Sequence, residues 1–346
     1  MNGSIWTALW LSLWCTCVQA QGFAGLGTAA EGFALPREGT AFEFPADHGP
    51  HPDYRIEWWY LTATLEAADG TPYGIQWTLF RSALTPEERP GWQSPQLWMG
   101  HAALTTPEQH FVAERLARGG IGQAGVTAAP FAAWIDHWQM TGQPGIDALQ
   151  VSASGNGFGY ALSLTAEGPL VFHGRDGYSV KSAAGQASYY YSQPFYRITG
   201  TLTLPSGPVQ VTGDGWLDRE WSSQPLASDQ SGWDWFSLSF DSGAKMMGFR
   251  LRGGSDFTAA TWIEADGTPT ALPDGALQVT PLTTSPVAGR EVPTRWRVVL
   301  PDRGLDVTVS ALNPNAWMAT SVPYWEGPVG IEGSHSGRGY LEMTGY

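Results

Sequence analysis

Cysteine occurs only at Cys15 and Cys17 in this chain of 346 residues. The rest of the chain therefore has no disulfide, no thiolate metal ligand and no thiol nucleophile. Positive charge is scarce too. There are 18 Lys and Arg against 32 Asp and Glu, a net charge of −14, and Lys181 and Lys245 are the only lysines. Nucleic acid and anionic membrane both favour basic patches, so neither is an expected partner. The one distinct apolar run, residues 5–14, is far shorter than the ~20 residues that span a bilayer. Followed by Val18-Gln19-Ala20, it reads as an export signal cleaved near Ala20, although no Lys or Arg precedes it. The expected location is periplasmic or secreted. A lipoprotein anchor at Cys15 fits poorly, because Leu13-Trp14 stands where a small residue belongs.

Helical signals are nearly missing as well. Segments of four to ten residues alternate apolar and polar and are broken by Gly, Pro, Asp or Asn, the pattern of an antiparallel sandwich or barrel. Strands are expected at 57–65, 73–81, 96–105, 131–141, 149–153, 160–165 and 189–191. A second series is expected at 196–204, 209–221, 234–240, 245–251, 258–264, 294–300, 305–311, 324–330 and 339–344.

What the sequence does have is rings: 18 Trp, 12 Tyr and 14 Phe, while only 14% of residues are charged. That exceeds the need of an ordinary core and points to aromatic walls around a cavity. There is also a faint internal repeat. Glu57-Trp58-Trp59-Tyr60-Leu61, a turn, and residues 74–81 resemble Asp234-Trp235-Phe236-Ser237-Leu238, a turn, and residues 246–250. Tyr190-Tyr191-Ser192-Gln193-Pro194 likewise resembles Tyr324-Trp325-Glu326-Gly327-Pro328. The repeat and the length predict two all-β domains in tandem, 21–195 and 196–346, after a signal at 1–20. A barrel is the expected closure, since it removes exposed strand edges and can hold one small ligand.

Six phrases carry a family resemblance: His51-Pro52-Asp53-Tyr54-Arg55-Ile56-Glu57-Trp58-Trp59-Tyr60, Gln76-Trp77-Thr78-Leu79-Phe80-Arg81, Leu217-Asp218-Arg219-Glu220-Trp221, Gly232-Trp233-Asp234-Trp235-Phe236, Tyr324-Trp325-Glu326-Gly327 and Gly339-Tyr340-Leu341-Glu342-Met343-Thr344-Gly345-Tyr346. Together they resemble the lipocalin-like family of carotenoid 1,2-hydratase (hydroxyneurosporene synthase) and its AttH-like exported relatives, often labelled secreted hydrolases. The resemblance covers essentially the whole chain beyond the export signal. It implies two calycin-type antiparallel barrels, an apolar isoprenoid or lipid substrate and no cofactor. It also implies an acid at Asp218. Where the hydratases carry a His-x-Trp pair, this chain has Tyr189-Tyr190-Tyr191, and Tyr191 is the third catalytic candidate. Some members are encoded beside ABC-transporter components, which makes a periplasmic lipid carrier the alternative function and those components its partners.

The residues give that acid a physical reading. On a strand, Trp216, Asp218 and Glu220 share one face and Leu217, Arg219 and Trp221 the other, with the two carboxyls roughly 7 Å apart. In an apolar cavity, desolvation and mutual repulsion would keep a proton on one of them near neutrality. Protonation of an isolated double bond gives a tertiary carbocation that ring faces stabilise before water adds. The plainer reading has both acids paired with Arg219, Arg197 or Arg81. Trp59, Tyr60, Trp77, Arg81, His101, Trp216, Trp221 and Trp235 are the expected ligand-binding residues, although core packing is the plainer role for any single ring. Glu57 and Arg81 read as a structural ion pair between neighbouring strands.

Other signals lead nowhere. His48, His51 and Asp53 have tolerable metal spacing but sit in a Pro/Gly loop, and no metal site is expected. Gly120-x-Gly122-x-x-Gly125 spells a dinucleotide fingerprint with no apolar strand before it and Pro130 after it. Gly333-Ser334-His335-Ser336-Gly337 has His where a nucleophile elbow needs Ser.

Overall fold

The computed structural model describes residues 31–224, 226–227 and 229–346. The expected export signal, Ala20, Cys15 and Cys17 lie outside them. Among the described residues the helical elements are single 3-10 turns at Ala46–His48, Gly91–Gln93 and Pro301–Arg303. Everything else regular is strand.

The first sheet holds β1 (Ile56–Ala67), β2 (Pro72–Ala83), β3 (Gln96–Thr105), β4 (His110–Arg118), β5 (Ala124–Ala128), β6 (Phe131–Ile135), β7 (Trp138–Gly142), β8 (Ala148–Gly155), β9 (Phe158–Ala166), β10 (Val171–Phe172), β11 (Tyr178–Val180), β12 (Ala187–Leu204) and β13 (Gly207–Ser222). The second holds β14 (Gly232–Phe240), β15 (Lys245–Arg252), β16 (Phe257–Ile263), β17 (Pro269–Leu272), β18 (Gln278–Val287), β19 (Arg290–Leu300), β20 (Leu305–Ala311), β21 (Trp317–Met318), β22 (Tyr324–Gly333) and β23 (Gly337–Met343). The first runs in the order β4-β3-β2-β1-β13-β12-β9-β8-β7-β6-β5, the second β17-β16-β15-β14-β23-β22-β20-β19-β18. The first curls into a nearly closed barrel, its β4 edge returning against β6 and β8; the second is a half-barrel. The expected all-β pair of antiparallel barrel domains is what the chain forms.

The boundary falls later than the sequence implied. Pro194 breaks the register of β12 between Gln193 and Tyr196 without ending the strand, so 189–191 and 196–204 are one element. Its first part pairs with β10 and β11 and its second with β9, while β13 continues the first sheet to Ser222. The division between sheets therefore lies between Ser222 and Gly232, not at 195/196.

Three smaller differences have local causes. Residues 131–141 form the hairpin β6–β7, turned at Asp136 with φ 52°. β4, with intermediate exposure along most of its length, shows no clean alternation. β18 carries Pro281 and Pro286, which an edge strand accommodates because one side of it has no ladder partner, and β18 is an edge.

Burial explains the sequence's consecutive rings. Trp59, Leu61, Trp77 and Trp138 fill the first barrel; Phe236, Met246, Trp296 and Trp325 fill the second. A third cluster lies between the sheets: Tyr60, Tyr190 and Trp216 from the first against Trp235, Met247, Phe249 and Tyr340 from the second. Strands at this contact are buried on both faces, so the half of β13 that reaches it is buried without a break while its other half alternates. Apolar side chains on both faces are what such a position needs.

The repeat is topological as well. The order β2-β1-β13-β12 recurs as β15-β14-β23-β22. In register, Glu57 faces Arg81 and Trp221, as Asp234 faces Arg250 and Met343. Glu220 and Glu342 are thus counterparts, as are Trp58 and Trp235.

Candidate functional site

Where the corresponding faces meet, they leave a cavity of about 120 Å³ between the sheets. Its walls are Ile56, Trp58, Tyr60 and Phe80 from β1 and β2, and Trp233, Trp235, Phe249 and Leu251 from β14 and β15. Asp218 and Glu220 enter from β13, Tyr190 from β12, Lys181 from the turn between β11 and β12, and Glu342 from β23. The alternation of β13 puts Trp216, Asp218 and Glu220 on this side and Leu217 and Trp221 inside the barrel.

Asp218 is 2% exposed, and no arginine or lysine pairs with it among the described residues. Its Oδ1 accepts hydrogen bonds from Trp216 Nε1 at 2.7 Å and from the Ser192 hydroxyl; its Oδ2 meets the Tyr190 hydroxyl at 2.8 Å. Burial pushes its pKa up to about 7, against the pull of Ser192, Tyr190 and Trp216, which favour the anion. Because Oδ1 already takes two donors, the proton sits on Oδ2. There it faces Tyr190, whose oxygen also accepts from Trp235 Nε1 at 3.0 Å. A protonated Asp218 then donates to Tyr190 and frees the phenol hydrogen for the cavity.

Behind Ser192 lies His173, fully buried, with Nε2 2.6 Å from Ser192 Oγ and Nδ1 2.9 Å from Thr261 Oγ1 of β16. The one Ser192 proton goes to Asp218, so Nε2 donates to Ser192 and Nδ1 accepts from Thr261. Burial, aided by the Lys181 charge, holds His173 well below the usual imidazole pKa and therefore neutral. It spans both sheets and fixes the Ser192 hydroxyl toward Asp218.

The other acids differ. Glu220 is held by Lys181 Nζ at 2.8 Å and by the Ser188 hydroxyl. Lys181 also lies over the rings of Tyr190 and Phe249, at 4.7 and 4.3 Å. Glu342 accepts from Trp233 Nε1 at 2.6 Å. Burial lifts it to about 7, opposed by that indole and reinforced by the charge of Asp218. Glu326, beneath the cavity wall, receives the Tyr60 hydroxyl at 2.5 Å, and burial raises it well above the carboxylate range.

Of the residues singled out from sequence, Asp218, Glu220, Tyr60, Arg81 and Trp235 line the cavity. Trp216 stands behind Asp218. Tyr191 does not reach the site. It points into the first barrel, where its hydroxyl meets His48 Nδ1 at 2.7 Å, and its neighbour Tyr190 occupies the cavity face. Trp59, Trp77 and Trp221 are barrel core for the same reason, and Trp58 and Tyr60 hold the outer face of β1. Trp221 stacks on His51 at 3.9 Å. His101 lies elsewhere in the sheet contact, between Tyr324 and Glu114 at 3.1 and 3.2 Å. Arg81 is committed to Glu57 at 2.9 Å, to Gln96, and to the His51 and Tyr54 carbonyls. Arg219 completes that cluster, 2.7 Å from Glu57. Against the cost of burial, His51, Arg219 and Arg81 hold Glu57 well below the carboxylate range. His51 bonds Glu57 and Asp47, which gives that loop histidine a place in the Glu57 cluster, while His48 bonds Tyr191.

Sequence reasoning missed Glu342, Tyr190, Ser192 and His173. The repeat could have found Glu342, since it stands where Glu220 stands in the other half. His173 carried no signal, because what it touches is set by the docking of the two sheets.

A family profile described as AttH-like matches residues 35–346. An AttH protein of Nitrosomonas europaea is similar in structure, with a TM-score of 0.80 and 32% identity over 91% of this chain and 100% of its own. Kievitone hydratase of Nectria haematococca superposes with a TM-score of 0.69 at 15% identity, over 91% of this chain and 96% of its own. CghA, solved with Sch210972, gives 0.54 at 12% over 85% and 89%. At those identities the last two share the fold. No curated protein matches the chain.

Proposed function

Because the chain belongs to the AttH-like family, we propose that it is an exported hydratase that adds water across a carbon–carbon double bond of an apolar, isoprenoid or lipid substrate. The carrying observation is Asp218: a buried carboxyl with no cationic partner, titrating near neutrality, at the wall of an aromatic cavity. A proton leaves Asp218 Oδ2, directly or through the Tyr190 hydroxyl, and bonds to one alkene carbon. The positive charge left on the other carbon is met by the rings of Trp58 and Trp235. Water then adds. No step calls for a cofactor. A cavity of about 120 Å³ is close to one that holds benzene, so a compact end group enters while the rest of the molecule lies outside. That a hydratase shares this fold supports the reading.

The alternative, a periplasmic lipid carrier serving an ABC-type transporter, needs room for a whole lipid. Both barrels are instead packed with Trp side chains, which favours the enzyme.

The test is to incubate the protein with an acyclic carotenoid and with shorter acyclic terpenes in ¹⁸O-water, and to look by mass spectrometry for a labelled tertiary alcohol. Asp218→Asn should abolish its formation. Undiminished turnover by that variant, or a bound lipid released unchanged with no product, would reject the assignment.

A further inference from the structure

We propose that Glu342 is a second catalytic residue, the base that accepts a proton from the attacking water while Asp218, from the other sheet, protonates the substrate. This rests on the hydratase reading above. Asp218 belongs to the first sheet and Glu342 to the second, and both line one cavity, so a double bond held there meets a carboxyl from each sheet. Addition of water needs that arrangement, a proton supplied to one carbon and a proton removed from the oxygen that joins the other.

Three acids compete for the role, and their partners decide between them. Glu220 is neutralised by Lys181 and bonded by Ser188. Glu326 does not line the cavity; it is held below by Tyr60. Glu342 has Trp233 Nε1, a group that can only donate, fixing its oxygen as an acceptor.

Burial brings the pKa of both carboxyls toward neutrality. Glu342 is faced by Tyr60 from β1, Trp233 from β14, Glu326 across β22, and Asp218 and Glu220 from β13. Asp218 is faced by Tyr190 and Ser192 from β12 and by Glu220 on its own strand. Each of the two carboxyls is raised by burial, and the Asp218 charge adds to the rise of Glu342. With both raised to about 7, one can hold a proton near neutral pH while the other accepts one.

The step balances. The Asp218 proton and the alkene π pair form a C–H bond, and a water oxygen lone pair forms the C–O bond. The proton that oxygen sheds goes to Glu342. Transfer through cavity water from Glu342 to Asp218 restores the starting state.

The experiment compares pH–rate profiles of the unaltered protein and Glu342→Gln on the terpene that gives product, with formate added to Glu342→Ala. The unaltered protein should show a bell, its acid limb from the base and its alkaline limb from the acid. Glu342→Gln should lose the acid limb and fall roughly 10²–10⁴-fold in kcat with KM little changed. Formate should restore turnover to Glu342→Ala, which a merely structural carboxyl would not allow. Full kcat with both limbs in Glu342→Gln, while Asp218→Asn is inactive, overturns this role alone. So does a Glu342→Ala protein that is folded but gains nothing from formate. An unaltered protein that hydrates nothing overturns the hydratase reading and this role with it.

Discussion

The Tyr190 hydroxyl stands 2.8 Å from Asp218 Oδ2 and 3.0 Å from Trp235 Nε1, which places one phenol between an acid of the first sheet and an indole of the second. The indole can only donate, so Tyr190 has one proton and two places for it: Asp218 when that acid is ionised, the cavity when it is not.

Tyr190→Phe should therefore do two separable things. Turnover should fall by roughly 10²-fold or more if the phenol relays the proton. Asp218 should also lose a donor that favours its anion, so its pKa rises and the alkaline limb moves to higher pH. A pH–rate profile measures both. An alkaline limb left in place would mean that Tyr190 does not touch the acid.

Asp218→Asn should trade activity for stability. The folded-state pKa of Asp218, about 7, lies above its ordinary 3.8. Between those values the native state keeps a proton that the unfolded chain releases, so stability falls as pH rises from about 4 to 7. Asparagine mimics the protonated acid and removes that dependence. The variant should gain on the order of 2–4 kcal/mol above pH 7 and almost nothing at pH 4. Urea denaturation at both values checks it, and a gain of equal size at pH 4 would contradict the titration.

The same strand shows how far a sequence can be read. Alternation along β13 separates Asp218 from Trp221 correctly, because a pleat has only two faces. Along β1 it says only that Trp58 and Tyr60 lie opposite Trp59. Which face is cavity depends on the second sheet, some 180 residues later in the chain. Trp59, Trp77 and Trp221, expected to bind ligand, and Tyr191, expected to be catalytic, turn into the first barrel for that reason: both faces are buried, and rings suit either. Pairing within a hairpin is more local, and Glu57 opposite Arg81 was legible from spacing. What lies across the sheet contact, as with His173 and Thr261, was not.

Glu57 is the acid for which charge is structural. It is fully buried between Arg81 and Arg219, with His51 closing the cluster at 2.6 Å. Its folded pKa is depressed, so the stability it contributes is present above the unfolded value of 4.5 and is lost as pH falls below it. Glu57→Ala leaves two guanidinium groups buried without their counter-charge. A loss of about 3–5 kcal/mol is expected, measured by urea denaturation at neutral pH. The difference from the parent should shrink below pH 4.5.

The sheets also meet at Gly74 of β2 and Pro328 of β22. A Cβ on Gly74 would lie 2.5 Å from Pro328 Cγ and 2.7 Å from Cδ, so no side chain fits without moving one sheet from the other. Gly74→Ala should destabilise by about 1–3 kcal/mol through overpacking. Because the cavity walls belong to both sheets, the variant should also raise KM, although no atom of Gly74 lines the site. Pro328→Gly removes the obstructing ring, and the double variant should be less destabilised than the sum of the two singles. Additive losses would mean that Gly74→Ala acts within its own sheet, and the two barrels would then tolerate displacement at this contact.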